Sequence, residues 1–434
     1  MFVTLWFINL IVWCTAQKQN FLLIIVDDLR TALGCYGDAK AYTPNIDRLA
    51  TGAAIFSQAF AQQALCAPSR NSFLTSRRPD TLHLYDFYSY WRKDIGNFTT
   101  LPQHLKNNGY ITKSVGKVFH PENHPLHKFE VPKPYKWSNN VSSIAYNPWN
   151  DLRKREDIAA LNLKFPWEKI PKSFARLIIQ SYYASVTYVD DLIGTLINHL
   201  ERLSIREDTI IILMSDHGWS LGEHAVWAKY SNYDVALKVP LIVSIPGLTY
   251  KKQKENTSIN NLSKENQIFI DSIVELVDIF PTIADLANIS IPICSTESMQ
   301  ITCSEGITFI PLIRAALKNE LILWKKAAFA QYPRPSIEPS IHPNSDEPRL
   351  KEIKVMGYTL RTNKYRYIAW LSFNPETVLP NWNNIIAEEL YDYSYDKDEN
   401  QNVAFIEEYA KLKEKLKILL QHGWRNILSA KSNF

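Results

Sequence analysis

Four residues at the ends of two apolar runs carry the first chemical signal. FLLIIVDD (21–28) closes on Asp27 and Asp28, and TIIILMSDHG (209–218) reaches Asp216 and His217 before its glycine. A continuous apolar run of this length reads as a parallel strand buried on both faces, with its polar groups at the carboxyl end. Open α/β sheets bind ligands beyond those ends. Three carboxylates meeting in one cleft would repel each other unless a cation compensated them. A hard divalent ion with oxygen ligands, such as calcium, suits that set. Spacing alone equally allows Asp27 and Asp28 to cap the next segment and Asp216 to open a turn.

A second signal lies in QALCAPSRNSFLTSRRP (63–79). Pro68 suits the first turn of a helix, which places Cys66 at a helix N-terminus. Backbone amides and the helix dipole there favour an anion or the developing charge of a nucleophile. Arg70, one turn on, could hold an oxyanion or the nucleophile itself. A buried structural cysteine is the plain alternative.

The elements around these residues alternate. TPNIDRLATG (43–52) opens a helix at Pro44 and stops it near Gly52. SYYASVTYVDDLIGTLINHLERL (181–203) has helical periodicity, and VPLIVSIPG (239–247) reads as a further strand. Strands alternating with helices predict an α/β fold, a mixed but mostly parallel sheet flanked by helices. The last third changes character. MGYTLRTNKYRYIAWL (356–371) and EELYDYSYD (388–396) read as antiparallel strands, and a helix is expected near EEYAKLKEKLKILLQ. The expected division is a signal peptide at 1–16, a catalytic domain at 17–318 and a smaller antiparallel subdomain at 319–434.

The 434 residues are 46% hydrophobic and 21% charged, as in globular proteins. A net charge of +4 gives no case for nucleic acid and does not oppose an anionic substrate. MFVTLWFINLIVWCTAQ fits a secretory signal peptide cleaved after Ala16, and it falls short of the roughly 20 residues of a membrane span. Asn-x-Ser/Thr triplets at Asn97, Asn140, Asn256, Asn261 and Asn288 are glycosylation candidates on that route. Of the 5 cysteines, Cys14 would leave with the signal, and Cys294 and Cys303 could close a small disulfide loop. Cys35 and Cys66 remain, and an unpaired cysteine in a secreted protein calls for an explanation.

Cys66-Ala67-Pro68-Ser69-Arg70 followed by Leu74-Thr75 resembles the signature of the sulfatases, a family of the alkaline-phosphatase-like superfamily. Gly109-Tyr110-Ile111-Thr112 with Gly116-Lys117-Val118-Phe119-His120 is similar to a second family signature. LYDFYSYWR, GKVFHP, AYNPW, SDHGWSLGEHAVWAKYSN, QYPRPS and MGYTLRT resemble the branch acting on 2-O-sulfated iduronate. The resemblance implies that a formylglycine-generating enzyme of the endoplasmic reticulum converts Cys66 to formylglycine. It implies one calcium ion, Ca2+, held by Asp27, Asp28, Asp216, His217 and the residue at 66. It makes Arg70, Lys117, His120 and Lys229 catalytic: Arg70 steadies the hydrated aldehyde, the lysines clamp sulfate oxygens, and His120 assists deprotonation. One hydroxyl of the hydrate attacks sulfur. Loss of a proton from the other then eliminates sulfate, splitting one hard step into two. The implied substrate is a sulfated glycosaminoglycan oligosaccharide of the heparan or dermatan type, and the implied location is the lysosome, or outside the cell. His224 reads as structural, and Trp219 as a wall of the sugar pocket or core packing.

Two departures stand out. Ser76 follows Leu74-Thr75 where the family usually has glycine. Between His120 and AYNPW the branch carries a strand with a His-x-x-His pattern, whereas this chain reads PENHPLHKFEVPKPYKWSNNVSSI, with many prolines and no buried-strand run. His124 and His127 match only in spacing. A block near 121–135 is therefore expected to be missing, which makes a catalytically impaired family member the alternative to an active enzyme. A related phosphoesterase is the third reading, and Cys66 in its C-x-P-S-R setting speaks against it.

Overall fold

The computed structural model describes residues 18–119, 160–163, 170–250, 267–295, 300–337 and 346–425. The expected signal segment, His120, His124, His127, Asn140, Asn256 and Asn261 lie outside them.

The two apolar runs form β1 (Asn20–Val26) and β3 (Thr209–Ser215), paired in parallel from Asn20 with Thr209 to Val26 with Ser215. With β2 (Ala54–Phe56), β4 (Leu241–Ser244) and β5 (Ile268–Ile270) they make a five-stranded sheet in the order β1-β3-β4-β2-β5. The sheet is mixed: β4 runs antiparallel to both β3 and β2, and β5 runs parallel to β2. Alternation along β3 divides its side chains between two cores. Ile210, Ile212 and Met214 face one layer, and Ile211 and Leu213 face the other.

The first layer holds α2 (Cys66–Thr75), α3 (Leu101–Asn107), α5 (Ile279–Leu286) and α6 (Ile310–Lys318). The second holds α1 (Pro44–Ala50) and the 31-residue α4 (Lys172–Arg202). Pro44 begins α1 as its type demands. The next two amides, of Asn45 and Ile46, are capped across the interface by the buried carboxylate of Asp190 on α4.

β1 departs from the sequence reading. Its run predicts burial on both faces, yet its residues are half-buried and it pairs only with β3 among the described residues. The segment after α3 passes beside it, with Tyr110 against Phe21 at 5.8 Å and Lys117 against Asp27, but forms no strand.

The C-terminal part is a four-stranded antiparallel sheet, β6 (Ala327–Arg334), β7 (Val355–Thr362), β8 (Tyr365–Asn374) and β9 (Leu379–Asp392), covered by α7 (Ala410–His422). β6 is an additional strand beyond those expected from sequence, and β9 starts at Leu379, ahead of the strand expected at 388–396. This sheet grips the loop that carries Lys229. Arg334 donates to the Tyr230 carbonyl, Asn232 donates to the Gly357 carbonyl, and Arg361 and Arg366 bind Asp234.

Glu389 on β9 is fully buried, accepting hydrogen bonds from Trp370 Nε1 and Tyr391 Oη. Burial outweighs those bonds and pushes its carboxyl from 4.5 up to about 7, with nearby Glu399 adding to the rise and Arg334 opposing it. The folded state therefore holds this proton more tightly than the unfolded chain. The resulting stability is fully present below the unfolded value and is lost as pH rises through the folded one. Glu389→Gln should flatten the fall in stability between pH 5 and pH 7.5, by about 1.4 kcal/mol per pH unit. Denaturant unfolding at both pH values checks this, and parallel pH profiles for the two proteins would refute it.

Candidate active site

The strand ends and the N-terminus of α2 converge on one sulfur. Cys66 is the first residue of α2 and Pro68 lies in its first turn, as their types demand. All ten residues of α2 are buried. Ser76 ends the helix in the left-handed region at φ 51°, the conformation in which glycine is favoured. That is a physical reason for glycine after Leu-Thr. Here the serine hydroxyl compensates by donating to the Val277 carbonyl at 2.5 Å.

Cys66 Sγ lies 2.9 Å from Lys229 Nζ and 3.3 Å from His217 Nε2. Asp27, Asp28, Cys66 and His217 each offer a ligand atom, and all four atoms lie within 4.8 Å of one another. Asp216 lies beside them, its Oδ2 3.5 Å from His217 Nε2. Arg70, wholly buried, donates to Asp27 Oδ1 at 2.7 Å, Asp216 Oδ2 at 2.8 Å and the Lys117 carbonyl. Its guanidinium thus orients carboxylates rather than touching sulfur. Lys117 Nζ binds Asp27 at 2.9 Å, and Lys229 Nζ binds Asp28 at 2.9 Å.

The carboxylates do not face one another uncompensated. Asp27, Asp28 and Asp216 are already balanced by Arg70, Lys117 and Lys229. Three acidic side chains therefore do not by themselves demand an ion. The donor spacing is what fits one, because oxygens on opposite sides of calcium stand roughly 5 Å apart. A thiol suits calcium poorly, and an oxygen in place of Sγ would complete a hard donor set.

The charges tune each other. Burial raises Asp27, but the hydrogen bond with Asp216 and the charges of Lys229 and Arg70, with the Lys117 contact, hold it well below the usual carboxylate range. Burial raises Asp216, only partly offset by His217 and Arg70. Burial would lower His217, yet Asp216 and the Cys66 sulfur push it up to about 9. Burial would raise the Cys66 thiol, and Lys229 and His217 overcome it to lower the pKa. The arrangement can hold an anionic nucleophile at residue 66 and an anionic group beside it.

Backbone geometry sets these positions. Asp28, Ala228 and Tyr230 all have positive φ, the last two flanking Lys229. Strained backbone of this kind persists where the surroundings over-determine it. Gly218 lets the 216–219 loop pass Val235, since a Cβ there would lie 2.2 Å from the Val235 carbonyl oxygen. His224 stacks on Tyr233 at 4.2 Å, a packing position. A cavity of about 450 Å³ opens beside Asp27 and Asp28, walled by Phe174, Leu177, Tyr182, Trp219 and Trp227. Outside the site, Cys294 and Cys303 are joined by a disulfide, while Asn97 and Asn288 are exposed.

Ser215 and Tyr182 are not among the site residues expected from sequence, yet both bind the turn after β1. Ser215 Oγ accepts from Leu29 N at 3.0 Å, and Tyr182 Oη contacts the same turn. Ser215 adjoins Asp216 in sequence and could have been suspected. Tyr182 sits in an ordinary amphipathic pattern that marks no hydroxyl as special.

A family model described as Sulfatase matches residues 19–161 and 122–289, two stretches that overlap across 122–161. Iduronate 2-sulfatase of Homo sapiens is 38% identical over 506 aligned residues, covering 90% of this chain and 92% of that protein. That span exceeds the 434 residues of this chain, so it includes positions where the human protein has residues and this chain has none. Among solved structures, a protein in complex with its substrate D-glucosamine-2-N,6-O-disulfate aligns with TM-score 0.64 at 20% identity, covering 96% of this chain and all of that one. The phosphonate monoester hydrolase of Agrobacterium radiobacter aligns with TM-score 0.61 at 18% identity, covering 94% and 96%. At such identities the likeness is one of fold.

If the four-donor cluster holds calcium, a hundredfold excess of the ion over its Kd stabilises the protein by about 2.7 kcal/mol. Asp27→Asn and Asp28→Asn should each lose most of that response. Thermal unfolding with calcium and with chelator measures it, and an undiminished response in both variants would exclude these carboxylates as ligands.

Proposed function

The chain belongs to the sulfatase family, and from that premise we propose that it hydrolyses the 2-O-sulfate ester of iduronate in heparan or dermatan sulfate, using formylglycine made from Cys66 and one calcium ion. The observation that carries the reading is the setting of Cys66. It combines a helix N-terminus, an ammonium at 2.9 Å, an imidazole at 3.3 Å and two carboxylates in one cluster. Similarity to human iduronate 2-sulfatase over 90% of the chain supports the substrate class.

When bound, calcium would polarise a sulfate oxygen, and formylglycine would supply the nucleophilic oxygen. Asp27, Asp28, Asp216 and His217 would hold the ion, with the oxygen at residue 66. The chain's own cations do the rest of the electrostatic work. Lys229 reaches residue 66 and Lys117 reaches Asp27, so both ammonium groups stand where sulfate oxygens would enter. Both lysines are raised above their ordinary pKa: burial alone would lower them, and the neighbouring carboxylates and Cys66 reverse it. They therefore stay cationic at acidic pH. Arg70 keeps Asp27 and Asp216 aimed inward. His217 Nδ1 lies 3.1 Å from the Gly218 carbonyl, the arrangement in which Nδ1 carries the proton and leaves Nε2, facing residue 66, free to bind the ion. His120, proposed to assist deprotonation, lies outside the described residues.

The disulfide, the Asn-x-Ser/Thr sites and the apolar N-terminus support a secretory route to the lysosome or cell exterior. No helix among the described residues is long and apolar enough to cross a membrane.

A second reading concerns catalytic power. We propose that a block of the catalytic domain is missing after His120 and that this form is impaired. The half-buried edge of β1 supports it, as do Ile111 and Val115, 90% and 96% exposed beside that edge. The aligned span longer than the chain supports it independently. An unpaired central strand leaves backbone groups unsatisfied wherever water is excluded, at roughly 1–3 kcal/mol each.

Three measurements test these readings. Mass spectrometry of the Cys66 peptide, from cells making the formylglycine-generating enzyme, should show an aldehyde replacing the thiol. Cys66→Ser in the block-restored chain should abolish multiple turnover, and wild-type-like turnover by that variant would sink the mechanism. Side by side, the 434-residue form should show little or no activity on a sulfated iduronide. A form carrying the relative's block after His120 should be active, and comparable rates would remove the case for impairment.

A further inference from the structure

The turn after β1 makes three backbone donations to side chains. Asp28 N donates to Asp216 Oδ1 at 3.3 Å, and Leu29 N donates to Ser215 Oγ at 3.0 Å. Arg30 N donates to Tyr182 Oη at 3.0 Å. Asp216 and Ser215 come from the neighbouring strand and are part of the site. Tyr182 comes from α4, the long helix on the far layer. Its hydroxyl also donates to the Asp28 carbonyl at 2.9 Å, so one oxygen bridges both sides of the turn.

The bridged residue is under backbone strain. Asp28 has φ 60°, a conformation that L-residues with a Cβ adopt at a cost. In that conformation its Oδ1 lies 2.9 Å from Lys229 Nζ and 3.5 Å from His217 Nδ1, within the four-donor cluster. Relaxing to negative φ would swing the carboxylate away. The helix that supplies Tyr182 is itself anchored. Val186, Ile193 and Ile197 pack on the sheet, and buried Asp190 caps α1.

We propose that Tyr182 is a positioning residue for the cation site: its hydroxyl locks Asp28 in the strained conformation that aims its carboxylate at the ion. The proposal rests on the reading that Asp27 and Asp28 hold calcium. The Tyr182 hydroxyl is spent on the Arg30 amide and the Asp28 carbonyl, so it acts through the backbone of residues 28–30. Supporting groups of this kind govern ligand orientation, and their loss commonly weakens a metal by about 10-fold or more.

Tyr182→Phe removes the hydroxyl and keeps the ring. Tyr183→Phe is the matched control. Its hydroxyl, on the next residue of the same helix, donates to Asp38 at 2.6 Å, away from the cluster. The measurement is calcium titration of the whole chain, followed by calorimetry and by the rise in unfolding temperature, with no turnover required. Wild type and Tyr183→Phe should bind alike, and Tyr182→Phe should bind about 10-fold or more weakly. In chelator, both variants should unfold at similar temperatures, which separates a loosened site from a damaged fold. Equal calcium affinity in all three proteins would overturn the clamp and leave the cation site standing. Absence of saturable calcium binding in the wild type would overturn the cation site, and the clamp with it.

Discussion

Everything near the active site depends on balancing charge where water is excluded. Three carboxylates and three cations surround a buried sulfur, and Asp216, Arg70 and His217 are themselves without solvent contact. Ions in such a place are tolerable only when paired and hydrogen-bonded, and removing one partner of a buried pair costs on the order of 3–5 kcal/mol. Arg70 meets the requirement by binding Asp27, Asp216 and the Lys117 carbonyl together. The same balance defines the chemistry. If an ion takes the carboxylates, Lys117 and Lys229 are released toward an anionic substrate while remaining in the cleft.

Holding that cluster requires elements distant in sequence. β1 and β3 deliver the carboxylates through their parallel register, and α2 delivers residue 66. The C-terminal sheet holds the Lys229 loop through Arg334, Asn232 and Asp234. The smaller sheet thus helps to hold the cluster in place, although its strands supply none of the cluster's side chains. The positive φ of Ala228 and Tyr230 marks where that grip is exerted.

The edge of β1 is where the fold and the family pattern part. An apolar strand whose register with β3 is complete has one open side among the described residues, and apolar side chains stand exposed next to it. A continuous apolar run is the pattern of a strand covered on both faces, as in a parallel sheet with helices on each side. The strand is less covered than its composition suits, while its carboxyl end still brings Asp27 and Asp28 into the cluster.

Local sequence carried much of this protein. The apolar runs determined β1 and β3, Pro44 and Pro68 placed helix starts, and the cysteine signature pointed to residue 66, around which the cluster gathers, because each depends on residues adjacent in the chain. The partition of charge was not legible in that way. Which cation faces which carboxylate, that Arg70 binds aspartates rather than sulfur, and that a tyrosine on α4 bridges Asp28 and Arg30 all follow from approaches of a few ångströms between residues up to 201 positions apart. Local patterns fix the period and ends of an element. Only packing decides which ends meet, and a hydroxyl or guanidinium acquires its role from what lies within hydrogen-bond reach.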